Sequence, residues 1–344
     1  MVCTGPIEVS AINKIERDSA KISVIVPTIG RPQSLERLLN SLAAQTFRVH
    51  EVIIADGSGA EDAGRVAADR RWKQAGLDIK CISVQPPHAV RQREAAIAVS
   101  LGELLLLLDD DVELEPQCVA EMVKTLDSRA GVVAVMANFN NQAWAMPPRA
   151  WRLYLRIVHG LREGEWQGRV IGPLLRFGFN PPPSGPVSCE WLGTGNSLVR
   201  RETFKAAGGF SNFFLYRSTM NEDVDLGLRV AREGLILFCP QARLGHFHDP
   251  GGRVSPARVA EDDVFNRFQV LHRTVGHSKL RSFALTTVFV IVESASNIAG
   301  AVRRGNWGQT GRLVHDRATG LWRIVRSHRQ PKSSAGTSAF KADR

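Results

Sequence analysis

Three consecutive carboxylates, at residues 109–111, follow an uninterrupted run of five leucines in this 344-residue sequence. The leucine run at residues 104–108 predicts a strand that is buried on both faces. Adjacent carboxylates repel one another unless a cation lies between them, and ligands of open α/β sheets bind beyond the carboxyl ends of the strands. The pattern therefore indicates a divalent-cation site for an anionic ligand. The alternative is an acidic cap on the turn before Pro116.

A second group of carboxylates begins a predicted helix at residues 222–233. Glu222 and Asp225 lie on neighbouring positions of such a helix, whereas Asp223 faces elsewhere. A carboxylate at a helix start beside a cleft can act as a general base toward a hydroxyl group. The alternative is that these acids only stabilise the helix through its dipole.

Two histidines, His246 and His248, follow the last strand predicted before the C-terminal region. Either imidazole could bind a divalent cation. A single histidine in a loop is more often structural than a metal ligand, and the sequence leaves open which of the two acts.

Alternating strand and helix patterns surround these groups and predict an α/β fold. Apolar and β-branched runs indicate strands, and apolar residues spaced three or four apart indicate helices. Strands that alternate with helices form βαβ units with a parallel sheet. The predicted strands are residues 21–27, 49–55, 79–84, 104–108, 132–137, 189–199 and 235–238, and the predicted helices are residues 33–45, 61–75, 89–101, 117–126, 201–207 and 222–233.

Residues 138–188 carry little periodic pattern and contain several tryptophans and arginines. A segment of this length without a clear pattern is usually a functional loop or a lid. A packed insertion with one helix at residues 148–159 is equally compatible with the sequence.

The net charge of +10 is concentrated in the C-terminal region. Residues 265–344 hold 14 basic and three acidic residues, so the rest of the chain carries a charge near −1. This distribution disfavours a nucleic-acid-binding core and predicts a basic extension that meets an anionic surface. Five scattered cysteines without a C-x-x-C pair favour reduced thiols and a cytoplasmic location.

An apolar run at residues 283–292 lies within this basic extension. Glu293 and Asn297 follow the run and end it. The run is shorter than the roughly 20 apolar residues of a membrane span. The run therefore predicts an amphipathic helix on an anionic leaflet, and a helix that packs on the main domain or on another subunit is the alternative. Residues 1–20 predict a loosely ordered lead-in without a signal peptide, and residues 329–344 a disordered tail.

Taken in order, several segments closely resemble the family 2 glycosyltransferases of the GT-A fold. The resemblance covers about residues 21–250, and both the order and the spacing of its motifs match. It implies a Rossmann-like, mostly parallel sheet in a domain at residues 21–260, followed by a helical extension at residues 261–328. The segments that carry it are residues 22–28, 35–42, 45–47, 51–58, 108–111, 208–210 and 222–229.

The family implies inverting transfer of a sugar from a nucleotide-diphosphate donor to a saccharide or lipid-linked acceptor, as in polysaccharide or cell-envelope glycan synthesis. Asp109 and Asp111 match its metal-binding motif for Mg²⁺ or Mn²⁺, and His246 lies where some relatives supply a further ligand. Asp223 matches the general base, with Glu222 as the rival.

The resemblance also implies which residues face the two substrates. It assigns the donor, a UDP-sugar before a dTDP- or GDP-sugar, to the end of the first strand and to later polar residues. Apart from the resemblance, the acceptor is expected to be chosen by the weakly patterned region at residues 138–188 and by the segment at residues 191–196. The donor residues are Pro27, Thr28, Arg31, Asp56, Arg91 and Asp110, and the acceptor residues are Trp191, Gly195 and Asn196.

Two positions depart from the family pattern. Ala55 stands where many members have an acid, which weakens the assignment of contacts to the nucleotide base. Residues 91–94 read Arg-Gln-Arg-Glu where Arg-Asn-Arg-Gly is common, which removes the basis for a direct role of Arg93.

Other functions are compatible with parts of the sequence. A sugar-phosphate nucleotidyltransferase also uses an α/β nucleotide domain and a metal, but the loop at residues 28–32 is short for that class. A nucleic-acid-binding protein is suggested only by the high pI, and its charge lies in the C-terminal region. A dinucleotide-dependent oxidoreductase is disfavoured because no G-x-G-x-x-G follows the first strand.

Overall fold

The computed structural model describes residues 21–59, 61–215, 218–249, 251 and 255–327. The predicted lead-in at residues 1–20 and the predicted tail at residues 329–344 lie outside the described residues. The chain divides into two compact units, Met1–Val254 and Ser255–Arg344. The boundary predicted at residue 260 falls inside a helix, Pro256–Gln269.

The first half of the first unit is a parallel sheet whose strands alternate with helices. Its elements are β1 (Ile22–Thr28), α1 (Pro32–Ala43), β2 (Glu51–Asp56), α2 (Asp62–Ala67), α3 (Arg70–Gln74), β3 (Ile79–Ser83), α4 (Ala89–Val99) and β4 (Leu104–Leu108). The strands lie in the order β3–β2–β1–β4, all parallel. Every residue of β1, β2 and β4 is buried, as expected for apolar strands in a sheet covered on both faces.

Mixed strands complete the sheet beyond β4. The further elements are β5 (Val112–Leu114), α5 (Cys118–Leu126), β6 (Val132–Phe139), α6 (Arg149–His159), β7 (Val170–Ile171), β8 (Leu175–Arg176), β9 (Val187–Cys189), β10 (Asn196–Arg200), α7 (Arg201–Ala206), α8 (Glu222–Glu233) and β11 (Leu235–His246). The sheet continues from β4 through β10, β6 and β11 to β5, and β9 also pairs with β11. The predicted α/β fold with flanking helices is confirmed.

Strand β10 runs antiparallel to both of its neighbours, β4 and β6. Its first residue, Asn196, lies opposite Leu108, the last residue of β4. Because the start of β10 meets the end of β4, the loop that enters β10 and the three aspartates that leave β4 lie at the same edge of the sheet.

Two predicted elements are interrupted in the structure. The strand predicted at residues 189–199 is split into β9, which pairs with β11, and β10, which pairs with β4 and β6. In the loop between them, a side chain at Gly195 would overlap the Asp109 carboxylate. The helix predicted at residues 61–75 is two helices, since the Asp69 side chain accepts a hydrogen bond from the backbone N–H of Arg71 and starts α3.

The weakly patterned region contains the predicted helix, α6, and a short hairpin of β7 and β8. One side of α6 is buried through Trp151 and Leu155, whereas Leu153 and Ile157 are exposed. The hairpin pairs Val170 with Arg176. The region is therefore a packed insertion that ends in the sheet strand β9.

Within its described residues, 255–327, the second unit consists of three helices. They are α9 (Pro256–Gln269), followed by a π-helical turn at Val270–Thr274, then α10 (Lys279–Arg304) and α11 (Trp307–Ser327). Ser255 and Ser278 cap α9 and α10 through their side-chain oxygens. The segment Lys279–Val302 has a mean hydropathy of 1.5 and meets the length and composition of a membrane span, with 22% of its most apolar window buried.

Candidate active site

The middle aspartate after β4 joins the ends of two strands. Asp110 is buried and accepts hydrogen bonds from Thr28 Oγ1 at 2.6 Å and from Arg31 Nη1 at 2.9 Å. Burial raises the pKa of Asp110 to about 6, although both partners act to lower it. Since Thr28 ends β1, Asp110 holds the loop after β1 against the end of β4.

The third aspartate lies beside two histidines. Asp111 Oδ1 lies 3.0 Å from His246 Nε2, and the ligand atoms of Asp111, His246 and His248 all lie within 4.8 Å of one another. Burial acts to raise the pKa of Asp111, but His246, the backbone N–H of Asp249 and the charge of Arg31 outweigh it and lower the pKa to about 2. One carboxylate and two imidazoles form a plausible donor set for Mn²⁺, and imidazole suits Mg²⁺ less.

The first aspartate takes a different partner. Asp109 Oδ1 lies 2.5 Å from Nη2 of Arg93, a buried side chain whose Nη1 lies 3.7 Å from Glu222 Oε1. Within the described residues, Nε and Nη1 of Arg93 make no hydrogen bond. Asp109 lies outside the group of Asp111 and the two histidines, so its assignment as a metal ligand stays a prediction.

The two acids at the start of α8 have different environments. Glu222 is buried and accepts a hydrogen bond from Thr194 Oγ1 at 3.2 Å. Burial, together with the charge of Asp223, raises the pKa of Glu222 well above its ordinary value, and the charge of Arg93 opposes the rise. Glu222 therefore tends to hold a proton near neutral pH.

Asp223 is only half-buried and is held at one oxygen. Asp223 Oδ1 accepts hydrogen bonds from Arg176 Nη1 at 2.7 Å and from the backbone N–H of Val224 at 2.8 Å. Its Oδ2 makes no hydrogen bond in the part of the chain that the structure describes. One oxygen of Asp223 is thus fixed by two donors, and the other is available to accept a proton.

Aromatic and amide groups lie next to this carboxylate. The Trp191 and Trp144 rings meet edge to face at 5.3 Å between centroids, and the Arg176 guanidinium lies 5.5 Å from the centroid of Trp191. Trp191 Nε1 and Asn196 Oδ1 are buried and, among the described residues, lack a hydrogen-bond partner. An unsatisfied donor and an unsatisfied acceptor together suit a hydroxyl-bearing ligand.

These groups open to one cavity of about 570 Å³. This volume lies in the usual range for small-molecule sites. The cavity joins the histidines of the metal-ligand group, the acids of α8 and the predicted acceptor residues, but its lining does not include the predicted donor residues. Among its lining residues are Asp109, Trp144, Arg176, Trp191, Gly195, Asn196, Glu222, Asp223, His246 and His248.

Three of the predicted donor residues, Pro27, Thr28 and Asp56, lie at the ends of β1 and β2. In the strand register, Pro27 pairs with Ala55 and Thr28 with Asp56. The carboxylate of Asp56 accepts hydrogen bonds from the backbone N–H and the hydroxyl of Ser58, at 2.8 and 2.9 Å. Asp56 therefore shapes the turn after β2.

The segment that departs from the family pattern supports this edge. Gln92 Nε2 is buried and donates to the carbonyl oxygens of Thr28 and Ala55, both at 2.7 Å, which ties β1 to β2. Arg91 is half-buried and makes no hydrogen bond or ion pair among the described residues.

Comparison with known proteins identifies the family. Residues 23–189 match the model described as Glycosyl transferase family 2, and the match includes β1, β4 and the three aspartates. Residues 23–189 of the chain are a glycosyltransferase family 2 region. The predicted resemblance is therefore confirmed.

Two curated relatives match this chain over part of their own length. O-antigen biosynthesis protein RfbC of Myxococcus xanthus is 29% identical over 265 residues, which are 72% of this chain and 19% of the relative. The uncharacterized glycosyltransferase YwdF of Bacillus subtilis is 28% identical over 109 residues, 31% of this chain and 39% of the relative. The chain thus spans a minor part of the length of the curated relatives it matches.

Solved structures share the GT-A fold with this chain. The mannosyltransferase PcManGT from Pyrobaculum calidifontis, in complex with GDP-Man and Mn²⁺, superposes with a TM-score of 0.54 at 15% identity and covers 89% of each chain. S. aureus TarS 1–349, in complex with UDP-GlcNAc, gives a TM-score of 0.51 at 15% identity, over 86% of this chain and 79% of that chain.

Hydrogen bonds and one buried ion pair support the segment at residues 208–211. Glu94, which replaces the common glycine, accepts a hydrogen bond from the backbone N–H of Phe210 at 2.7 Å. Asp225 is fully buried and accepts from Ser211 Oγ and from Arg229 Nη2, at 2.7 and 2.6 Å. These contacts fix residues 208–211 against α4 and α8, so the acid at position 225 is structural.

Sequence reasoning missed two arginines at the site. The motif that contains Arg93 departs from the family pattern and so predicts no direct role for this residue. In the structure, Arg93 lies between Asp109 and Glu222. Arg176 lies in the insertion, where no periodic pattern marks a strand. For Arg93 the repeated Arg-x-Arg spacing on α4 was a usable signal, and for Arg176 the sequence carried none.

Proposed function

We propose that this chain transfers a sugar from a nucleotide-diphosphate donor to an acceptor hydroxyl, with a divalent cation at the donor side. The observation that carries the proposal is that one cavity is lined by both the acids of α8 and the histidines of the metal-ligand group. A base for the acceptor and a counter-charge for the leaving group are the two parts that this displacement needs. The GDP-Man and UDP-GlcNAc complexes of the structural neighbours support this donor class.

Asp111, His246 and His248 would hold the cation, and Asp109 is the further candidate beside them. Their mixed oxygen and nitrogen donors favour Mn²⁺ over Mg²⁺. When bound, a divalent ion there neutralises the charge of the diphosphate. The chain's own Arg31, close to Asp110 and Asp111, adds a fixed positive charge at the same edge.

Asp223 is the base in this proposal. Its Oδ2 takes the proton of the acceptor hydroxyl as the hydroxyl oxygen bonds to the anomeric carbon. The bond from that carbon to the diphosphate oxygen breaks at the same time, and its electron pair leaves with the nucleoside diphosphate. Attack opposite the leaving group inverts the anomeric centre. Arg176 stabilises the charged carboxylate, whereas the raised pKa of Glu222 makes this rival a proton holder near neutral pH.

Trp191, Gly195 and Asn196 would bind the acceptor, which we propose is a saccharide or a lipid-linked saccharide. Aromatic rings pack against sugar rings, and the unsatisfied Trp191 N–H and Asn196 carbonyl complement hydroxyls. Gly195 admits the close approach to Asp109. The O-antigen biosynthesis name of one relative supports a role in polysaccharide or cell-envelope glycan synthesis.

A thermal-unfolding screen of nucleotide sugars tests the donor. We expect one nucleoside-diphosphate sugar to raise the midpoint temperature of unfolding in the presence of Mn²⁺, and EDTA to remove this effect. A UDP-sugar is expected first, and a dTDP- or GDP-sugar next. NMR of the product should then show an inverted anomeric configuration. Stabilisation that persists in EDTA would contradict a metal-dependent donor site. A retained anomeric configuration would contradict direct displacement. Pyrophosphate release from a nucleoside triphosphate would indicate a nucleotidyltransferase.

A further inference from the structure

We propose that α10 docks on an anionic lipid leaflet through one exposed apolar face. This face is a continuous stripe along the helix, with no charged side chain in it. Its members recur at spacings of three, four or seven residues, which places them on one side of a helix. They are Leu280, Ala284, Ile291, Ala295, Ile298 and Val302, and all are exposed.

The exposure of this stripe is high for large apolar side chains. Leu280 is 80% exposed, Ile291 is 61% and Val302 is 67%. The residues from 280 to 302 span about 33 Å at the rise of an α-helix. A soluble protein rarely exposes an apolar surface of this extent without a partner.

The opposite face of α10 already has its packing partners inside the second unit. Ser282, Thr286 and Phe289 are buried there, and the Arg267 guanidinium of α9 lies 3.6 Å from the centroid of the Phe289 ring. Glu293, on this side, pairs with Arg317 of α11 at 3.6 Å. The helix is therefore apolar on a face that its own unit does not cover.

The charges of the second unit favour an anionic partner. Every exposed charged side chain described within residues 255–327 is basic. The side chains of Arg303 and Arg304 are left out of this comparison. The acids of the same range are buried or half-buried. The exposed bases are Arg258, Arg273, Lys279, Arg281, Arg312 and Arg326, and the sheltered acids are Glu261, Asp262, Asp263, Glu293 and Asp316.

An apolar stripe that begins beside Lys279 and Arg281, in a unit whose other described exposed charges are also basic, is the pattern of a helix that lies in the plane of an anionic membrane. Trp307 and Trp322, each 56% exposed, are of the type enriched at the membrane–water interface. A second copy of the chain would bring two basic surfaces together, which disfavours a dimer through this face. The free thiols of Cys81, Cys118, Cys189 and Cys239 fit the cytoplasmic leaflet.

Flotation of the full chain with vesicles tests this docking without reference to transfer. We expect binding to phosphatidylcholine vesicles that contain about a third phosphatidylglycerol, weak binding to pure phosphatidylcholine, and a decline with salt. The double variant Ile291→Glu, Ile298→Glu should bind at least about tenfold more weakly. Lys279→Glu, Arg281→Glu should weaken binding by a similar factor at low salt.

Leu101→Glu is the matched control, because Leu101 is an apolar residue of the first unit that is 68% exposed. This variant should bind like the parent. Circular dichroism and donor binding of each variant report folding separately. Absence of vesicle binding, binding that ignores lipid charge, or a dimer in sedimentation velocity that Ile298→Glu dissociates would each overturn the proposal. Resistance to alkaline carbonate extraction from cell membranes would instead indicate a helix that spans the bilayer.

Discussion

At the scale of single residues, the carboxylate of Asp223 is the group on which transfer should depend. Asp223→Asn keeps the size of the side chain but cannot take a proton, so kcat should fall by about 100-fold or more. Donor affinity should change by less than about twofold, since the base acts on the acceptor. Rate assays and calorimetric titration of the donor measure the two effects. Asp62→Asn, at an exposed site, is the control, and full activity of the Asp223 variant would move the base to Glu222.

Arg176 is expected to position the Asp223 carboxylate and to stabilise its negative charge. Arg176→Ala should lower kcat about tenfold or more with little change in the KM for the donor, because Oδ1 of Asp223 loses a donor at 2.7 Å. Arg176→Lys should retain part of the rate, and added guanidinium should restore part of it to the alanine variant. A loss that neither lysine nor guanidinium relieves would assign Arg176 to the packing of Trp191 instead.

At the scale of elements, Asp225 tests the support of the segment at residues 208–211. Asp225 is fully buried and pairs with Arg229, so Asp225→Ala leaves a largely buried cation unpaired and should cost about 3 kcal/mol of unfolding free energy. The exposed pair of Asp62 and Arg65 gives the control, since Asp62→Ala should cost less than about 1 kcal/mol. Urea unfolding measures both, and equal costs would contradict a structural role for Asp225.

The start of β2 carries an acid-sensitive contact. Glu51 accepts hydrogen bonds from Lys80, Ser23 and the backbone N–H of Leu101; burial acts to raise its pKa, but these donors lower it from 4.5 to about 2. Because the folded pKa lies below the unfolded one, the carboxylate stabilises the fold above about pH 4.5, and this contribution is lost as the pH falls toward 2.

Glu51→Gln should therefore lower the unfolding free energy at pH 7 by up to about 3 kcal/mol and make its decline between pH 5 and 2 shallower. Urea unfolding across this pH range measures the effect. Glu113→Gln, at an exposed position, is the control and should leave the decline unchanged. Equal slopes for the parent and Glu51→Gln would contradict the assignment.

Elements with a strong local pattern could be read from the sequence, and those fixed by contacts between distant segments could not. β1, β4 and α8 follow from apolar runs and helical spacing. The break between β9 and β10 separates strands with different partners, and the hairpin of β7 and β8 has only two residues per strand. Neither leaves a periodic signal. The pairing of Asp223 with Arg176 was hidden for the same reason, whereas the motifs singled out Asp111 and His246, which lie 3.0 Å apart and whose role as metal ligands stays a prediction.

At the scale of the whole molecule, cation binding should appear as added stability. Mn²⁺ at about 100 times its Kd should raise the unfolding free energy by about 2.7 kcal/mol, and EDTA should remove the gain. The double variant His246→Ala, His248→Ala should lose it, because only Asp111 remains of the three grouped ligands. His315→Ala, an exposed histidine of the second unit, is the control. An undiminished gain in the double variant would place the cation elsewhere.

The register of β10 has a consequence for how this fold can change. Asn196 and Leu108 are partners in a hydrogen-bonded ladder, and the acceptor loop and the donor-side aspartates extend from these two positions. In the proposed function, the separation of the two substrates would thus be set by backbone pairing and not by loop length. A slip of one residue would turn every side chain of β10 to the other face. We therefore expect loops grafted between residues 189 and 196 to alter which acceptor is chosen, while the spacing across which the sugar would move is inherited unchanged.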